Sequence, residues 1–322
     1  MPMVKSPLEL PIVVVTPVYE DLEAATRLFK ELAVVYGREV YLVVVDDGSV
    51  RQPVTVAGIE DSGLDGVVIR LRRNVGHQRA IAIGLSYVAD NLLAQRIVVM
   101  DSDGEDIPLS IRQLSKSLES AEIDIVVAQR KSRMETLSFR AFYLAYKWLF
   151  SLLTGRSISF GNFMMMKPAA LTRLVAMQEM WIHVAGCVLT SKLRLLAIPL
   201  DRGPRYAGNS KMNFVGLALH GFKALMVFAE DVLVRVGIAC AAVAILSVVG
   251  VLAAIVLKVI GFATPGWFSV ALGIMLLVFM QTGTLTLMTL MLTGVVRSGS
   301  VVTIAYRDFI DTVLQARARG AS

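Results

Sequence analysis

The chain has 322 residues, 55% of them hydrophobic and 18% charged, with a mean hydropathy of +0.64 and a formal charge of +6. The shortage of charge is local: residues 1–231 carry 26 Lys and Arg against 24 Asp and Glu, whereas residues 232–296 carry only Arg235 and Lys258. A wholly soluble chain, a disordered chain and a disulfide scaffold are poor fits, and the near-neutral head lacks the basic footprint of a nucleic-acid binder.

In chain order, short β-branched runs at Ile12–Thr16, Tyr41–Val45, Gly66–Leu71, Ile97–Met100 and Ile123–Ala128 read as strands. Between them, Asp21–Tyr36, His77–Leu93 and Pro108–Ser120 read as helices. Continuous apolar runs separated by helices predict an α/β fold with a mostly parallel sheet covered on both faces. Such sheets bind ligands at the carboxyl ends of their strands. The polar clusters fall there: TPVYED, DDGS, RNVGHQR and DSDGED follow the first four runs.

Residues 138–154 form an amphipathic helical pattern that suits either core packing or a membrane surface. Residues 213–231 read as an amphipathic juxtamembrane helix. Val236–Leu257 is uncharged for 22 residues, long enough to cross a hydrocarbon core of roughly 30 Å. After Thr264-Pro265-Gly266, Trp267–Val296 is a second span. The expected organisation is a head at 1–212, the juxtamembrane helix, spans at 232–258 and 267–296, and a tail at 297–322. Arg235 and the Arg residues of the tail flank the outer ends of the spans, which by the positive-inside rule puts head, tail and both termini in the cytoplasm. The N-terminal residues lack a signal peptide's apolar core. The two cysteines, Cys187 and Cys240, predict no disulfide and a head in a reducing compartment.

Asp101 and Asp103 stand one residue apart at a strand end, followed by Glu105 and Asp106. Such carboxylates suit Mg²⁺ or Mn²⁺ held against a diphosphate, with phosphate and water completing the shell. Asp46-Asp47-Gly48-Ser49 is either a simple turn or a carboxylate poised for a nucleobase or ribose. Neither GxGxxG nor GxxxxGK[ST] occurs.

Taken in order, Pro17-Val-Tyr19, Asp46-Asp-Gly-Ser49, Arg73-Asn-Val-Gly-His-Gln78 with Gly84-Leu85, Asp101-Ser-Asp103 and Arg205-Tyr-Ala-Gly-Asn-Ser-Lys211 resemble the family 2 glycosyltransferases. Within them the chain is similar to the dolichol- or polyprenyl-phosphate sugar transferases of bacterial membrane-anchored type, over residues 11–231. The resemblance implies a GT-A (Rossmann-like) fold with a C-terminal two-helix transmembrane hairpin. It implies a nucleotide-sugar pocket lined by Pro17, Tyr19, Glu20, Asp47, His77 and Asp101, and a metal held by Asp101, Asp103 and Glu105. Arg130, Arg140, Arg205, Ser210 and Lys211 match positions that meet acceptor or donor phosphates, with Arg130 and Arg140 also assigned to catalysis. Glu105 stands where the resemblance expects Gln, and Gly161-Asn-Phe-Met-Met165 departs from a GDFRL-like segment by lacking its acid and its Arg.

The implied reaction is inverting transfer of one sugar from a UDP- or GDP-sugar to a polyprenyl phosphate (undecaprenyl-phosphate-like) at the cytoplasmic face of the inner membrane. Resemblance also implies a homo-oligomer, a tetramer. Two other readings stand beside it: a family 2 transferase with a hydroxyl acceptor, or an inactive nucleotide-sugar-binding membrane module. His183, His220 and the Met164–Met166 run read as structural.

Overall fold

The computed structural model describes residues 9–130, 147–156, 160–206, 214–262, 266–298 and 305–318. The chain divides into two units. Met1–Thr136, Ile158–Val227 and Thr303–Ser322 form the first; Leu137–Ser157 and Phe228–Val302 form the second.

The first unit is built on eight strands: β1 (Glu9–Val18), β2 (Val40–Asp46), β3 (Asp65–Leu71), β4 (Leu93–Val99), β5 (Ile125–Arg130), β6 (Phe160–Met166), β7 (Leu195–Leu200) and β8 (Ile310–Ala316). Their order across the sheet is β7-β5-β6-β4-β1-β2-β3-β8. The four strands β3, β2, β1 and β4 run parallel, as expected from their apolar runs. The unexpected β6 lies antiparallel between β4 and β5, and β8 lies antiparallel to β3 at one edge.

Helices α1 (Leu22–Tyr36), α2 (Val56–Glu60), α3 (His77–Asn91) and α4 (Ile111–Leu118) alternate with the first strands, and residues 147–154 form α5 in the second unit. The first unit continues with α6 (Pro168–Val175), α7 (Val184–Thr190) and α8 (Phe214–Val227). Successive strand residues face opposite sides of a sheet. Val13, Val15, Val43, Val45, Val67 and Ile69 accordingly pack with residues of α3, α6 and α7 on one face. Val14, Leu42, Val44 and Val68 pack with α1 and α4 on the other. With both faces covered there is no polar side to alternate with, which is why these strands read as unbroken apolar runs. Met164, Met165 and Met166 are fully buried in β6, in keeping with core filling.

The tail expected at 297–322 contributes more than a tail, because Ile310–Ala316 completes the sheet beside β3. Tyr306 anchors the approach, its hydroxyl 3.0 Å from Asp90 Oδ2 at the end of α3. β1 lies between β2 and β4, so the chain leaves β1 toward β2 on one side and returns as β4 on the other. That reversal opens a crevice at the strands' carboxyl ends.

In the second unit, α9 (Ala229–Val259) and α10 (Trp267–Ser298) cover both expected spans. Each is long and apolar enough to cross a membrane, and the most apolar stretch of α10 has no residue buried in the fold, that of α9 only 17%. A soluble core helix would be mostly buried; here Ile238, Leu246, Leu277 and Met291 are open instead. The hydroxyls of Thr282, Thr284, Thr286 and Thr293 donate to carbonyls four residues back, which satisfies them without water. Lys258 ends α9 with its Nζ 4.1 Å from the Phe268 ring centre.

Candidate active site

The crevice is lined by the loops that follow β1, β2, β3 and β4. After β1, Glu20 takes a left-handed φ of 48° and turns its carboxylate onto the loop after β2. Oε1 accepts from Val50 N (2.8 Å), Oε2 from Gln52 N (2.9 Å), and Arg51 N lies 3.1 Å from both. The N–H groups of Val50 and Arg51 hold its pKa below the usual carboxylate range. Glu20, expected to bind nucleotide, is thus engaged in shaping the pocket wall. Tyr19 beside it is 46% exposed, and the Pro17 carbonyl accepts from Ser102 Oγ at 3.2 Å.

The two aspartates after β2 divide their work. Asp46 closes its own turn, accepting from Ser49 N and Val54 N. Asp47 reaches the next loop, with Oδ1 accepting from Val75 N at 2.7 Å and Oδ2 from Gly76 N at 3.0 Å. It is 3% exposed, and burial outweighs those two bonds to push its pKa up to about 6. Gly48 has a φ of 71°, and a Cβ there would fall 2.4 Å from the Arg73 carbonyl carbon, so only glycine lets the two loops touch.

Gly76 caps α3, and His77 opens it. His77 Nε2 lies 3.1 Å from Asp101 Oδ1, at the end of β4. The same nitrogen is 3.1 Å from Asn162 Nδ2 of β6, and Asn162 Oδ1 accepts from Gln78 Nε2 at 3.1 Å. Burial pulls the His77 pKa down, but with 43% of the side chain open the attraction of Asp101, Asp47 and Asp103 wins and leaves it raised.

The DSDGED turn is set by its own atoms: Asp101 N donates to Asp106 Oδ2 (2.9 Å) and Glu105 N to Asp103 Oδ1 (3.0 Å). Residues 201–206, after β7, lie along it, with Gly203 N donating to Glu105 O (3.0 Å) and Tyr206 N to Asp103 O (2.9 Å). Gly104, at a φ of 88°, admits the Tyr206 ring; a Cβ there would meet it at 2.7 Å. Tyr206 is in turn held by α1, its hydroxyl 2.5 Å from Glu31 Oε2 and Arg27 stacked 4.5 Å over its ring.

This strap carries two cations onto the acids. Arg205 Nη2 is 3.0 Å from Asp103 Oδ2, and Arg205 Nε is 2.8 Å from Glu105 Oε1. Arg202 pairs with the other oxygen of Glu105 and stands 4.0 Å from Asp106. Asp103 has a raised pKa because burial, then Asp101, disfavours its charge more than Arg205 and Arg202 favour it.

The structure therefore gathers His77, Asp101, Asp103 and Arg205 at one crevice, with Tyr19 on the loop after β1, while Glu105 is taken up by arginines. Arg130 ends β5, and its side chain, with Arg140, Ser210 and Lys211, lies outside the described residues. Arg202 was not singled out by sequence; its signal is a second Arg three residues ahead of Arg205, opposite an excess of acids. Asn162 was noted only as a departure. Among the described residues no three His, Cys, Asp or Glu side chains are grouped so that they could hold a metal ion by themselves. The donors at Asp101 and Asp103 fit an oxygen-preferring divalent ion of the kind that takes one or two protein carboxylates and fills its shell with phosphate and water.

Sequence comparison matches residues 13–181 to the pattern described as Glycosyl transferase family 2. The chain is 25% identical over 213 residues to an undecaprenyl-phosphate 4-deoxy-4-formamido-L-arabinose transferase of Enterobacter sp. (strain 638), spanning 63% of each. It is 30% identical over 154 residues to a dodecaprenyl-phosphate galacturonate synthase of Rhizobium johnstonii, 46% of this chain and 43% of that one. Glucosyl-3-phosphoglycerate synthase from Mycobacterium tuberculosis, crystallised with Mn²⁺, UDP and phosphoglyceric acid, has the same fold at a TM-score of 0.50. That likeness has 17% identity over 69% of this chain and 78% of the synthase. The sheet is thus the GT-A sheet, and with the pattern covering more than half of its length, this chain belongs to glycosyl transferase family 2.

Proposed function

We propose that the protein moves one sugar from a nucleotide diphosphate sugar to a polyprenyl phosphate, with inversion at the anomeric carbon. The observation that carries this reading is the meeting of Asp101, Asp103, His77 and Arg205 at the β1/β4 crevice, in a chain with two unburied apolar helices. The relatives named for undecaprenyl- and dodecaprenyl-phosphate supply the acceptor class.

In this reading the nucleotide lies against Tyr19 and the loop shaped by Glu20 and Asp47, with its diphosphate over the DSDGED turn. Asp101 and Asp103 would hold a Mg²⁺ or Mn²⁺ ion, which when bound supplies Lewis-acid stabilisation of the departing diphosphate. Arg205 meets the same negative charge from the strap, as guanidinium groups grip phosphate through two N–H groups. A phosphate oxygen of the lipid attacks the anomeric carbon as its bond to the donor diphosphate breaks; the leaving nucleoside diphosphate keeps the electron pair. That oxygen is already anionic at neutral pH, so the site needs no strong base, only placement in line and cations for the leaving group.

The arrangement of the chain supports a membrane hairpin. Both ends of the α9–α10 segment return to the first unit, since β8 pairs with β3 after α10. In this reading that connectivity supports an even number of crossings, and by the positive-inside rule Arg235 and Arg297 favour the cytoplasm as the shared side. The lipid's isoprene chain stays in the bilayer, so the head works where the phosphate surfaces.

Full-length protein in lipid or detergent, supplied with Mn²⁺ and a panel of radiolabelled nucleotide sugars, is expected to put label into organic-extractable polyprenyl phosphate. Asp103→Ala is expected to abolish it. No transfer from any donor by folded wild-type protein would sink the proposal.

A further inference from the structure

His77 Nε2 stands between two neighbours, each 3.1 Å away: the Nδ2 atom of Asn162 and the Oδ1 atom of Asp101. Which of them receives a hydrogen is settled by a chain of side-chain amides that begins at a backbone group. Val184 N, at the start of α7, can only donate, and it lies 2.7 Å from Gln78 Oε1. The other end of the Gln78 amide is therefore its NH₂, which donates to Asn162 Oδ1 at 3.1 Å. The other end of Asn162 is in turn its NH₂, and it faces His77 Nε2. A donor on one side needs a lone pair on the other, so in the neutral ring, the form a bound cation would select over the imidazolium that the acids favour, the amide chain favours the tautomer with Nε2 bare and Nδ1 carrying the hydrogen.

A bare Nε2 and Asp101 Oδ1 are then two electron-pair donors 3.1 Å apart, on different elements and facing one crevice. Two ligands at right angles on an octahedral ion, each at about 2.1 Å, stand about 3 Å apart. We infer that His77 is a direct ligand of the divalent ion, through Nε2 and beside Asp101, with Gln78 and Asn162 as the positioning residues that keep that nitrogen bare. This rests on the metal site proposed above and adds a nitrogen donor to a set otherwise made of oxygen. Asn162 stands where the resemblance expects an acid. A carboxylate there would accept a hydrogen from Nε2 and reverse the polarity of the chain, so the departure in this sequence and the bare nitrogen are one feature. An imidazole nitrogen is a softer donor than a carboxylate oxygen and discriminates against the hard Mg²⁺ ion, so the site favours Mn²⁺ over Mg²⁺ more than carboxylates alone would.

The test is pulsed electron paramagnetic resonance on full-length protein loaded with Mn²⁺ and UDP, prepared with ordinary and with ¹⁵N-labelled histidine. Wild type is expected to show a directly bound ring nitrogen whose signal changes with the label, which separates it from the nitrogens of UDP. His77→Gln is expected to lose that signal, to bind Mn²⁺ about 10- to 100-fold more weakly, and to lose part of its preference for Mn²⁺ over Mg²⁺. Asn162→Asp, which keeps the shape of the side chain, is expected to lose the nitrogen signal while the protein stays folded. Mn²⁺ and UDP bound without a histidine signal in wild type, or the signal persisting in His77→Gln, overturns this inference and leaves the proposed function standing. No Mn²⁺ held by wild type with UDP overturns both.

Discussion

Arg205 closes over Asp103, its Nη2 3.0 Å from Oδ2, and so occupies with its charge the place where the proposed reaction needs a cation. The same guanidinium cannot neutralise Asp103 and grip a donor diphosphate with the same N–H groups, so donor binding exchanges one anion for the other. We predict that Arg205→Ala binds free Mn²⁺ more tightly than wild type, because Asp103 has lost a competing cation. Its kcat is expected to fall by about 100-fold, the scale of losing one preorganised donor to a developing anion. Titration calorimetry and steady-state kinetics on the same preparations separate the effects; weaker metal binding together with the lower kcat would point to structural damage instead.

Asp47 gives a pH-dependent prediction. Its pKa is about 6 in the fold against 3.8 as a free side chain, and the first cause is burial. Below pH 3.8 both states carry the proton and Asp47 costs nothing. As pH rises the unfolded chain releases it first, so the fold loses stability through the window from about 4 to about 6 and then levels off. The full difference is about 3 kcal/mol. Asp47→Asn has no such titration, so wild type should lose melting temperature relative to that variant across the window when both are followed in detergent. A constant gap between the two curves would contradict the buried carboxylate.

The sequence made β1 to β4 legible because strands buried on both faces are spelled as unbroken apolar runs. It missed the strands whose burial is partial or whose residues suit other roles. β8 is open along most of its length and reads IDTVLQA, β6 contains Gly161, Asn162 and three methionines, and β7 contains Pro199. In the site, Asp101 and Asp103 were legible from local spacing, whereas Arg202 on Glu105 and Asn162 on His77 join residues 97 and 85 positions apart. Pairings that distant are set by the register of the sheet, which no local motif encodes.

β8 supplies the edge partner for β3, so a chain ending before Tyr306 should expose a strand with unpaired N–H and C=O groups. We predict faster hydrogen exchange at Val68 and Arg70, whose N–H groups lie on the β8 side of β3 as that of Arg72 does, a lower melting temperature and a greater tendency to aggregate than in the full chain. Unchanged protection in β3 would mean that the strand pairing adds nothing to the sheet.

The proposed hairpin predicts opposite sides for its turn and its outer ends. With Cys240 replaced by Ala, Phe262→Cys should react with a membrane-impermeant maleimide from outside intact spheroplasts. Asp308→Cys should react only after permeabilisation, since it lies just ahead of β8 in the first unit. Labelling of both positions from the same side would rule out two crossings.

Glu105 offers the sharpest separation between the family expectation and the geometry. A metal-facing carboxylate should change ion affinity when altered, but here both Glu105 oxygens are engaged by Arg202 and Arg205. We therefore predict that Glu105→Gln leaves Mn²⁺ affinity within about twofold of wild type and instead loosens the strap that carries Arg205. Arg202→Ala removes the opposite half of the same ion pair, and Arg202 is 29% exposed, so the pair is partly shielded from solvent. The two changes should then be strongly non-additive in kcat/KM, with a coupling of about 1–2 kcal/mol, as befits residues acting through one contact. A double-mutant cycle measured with the sugar-transfer assay reads this directly. Additive losses, or a large drop in Mn²⁺ affinity from Glu105→Gln alone, would return Glu105 to the role of metal ligand.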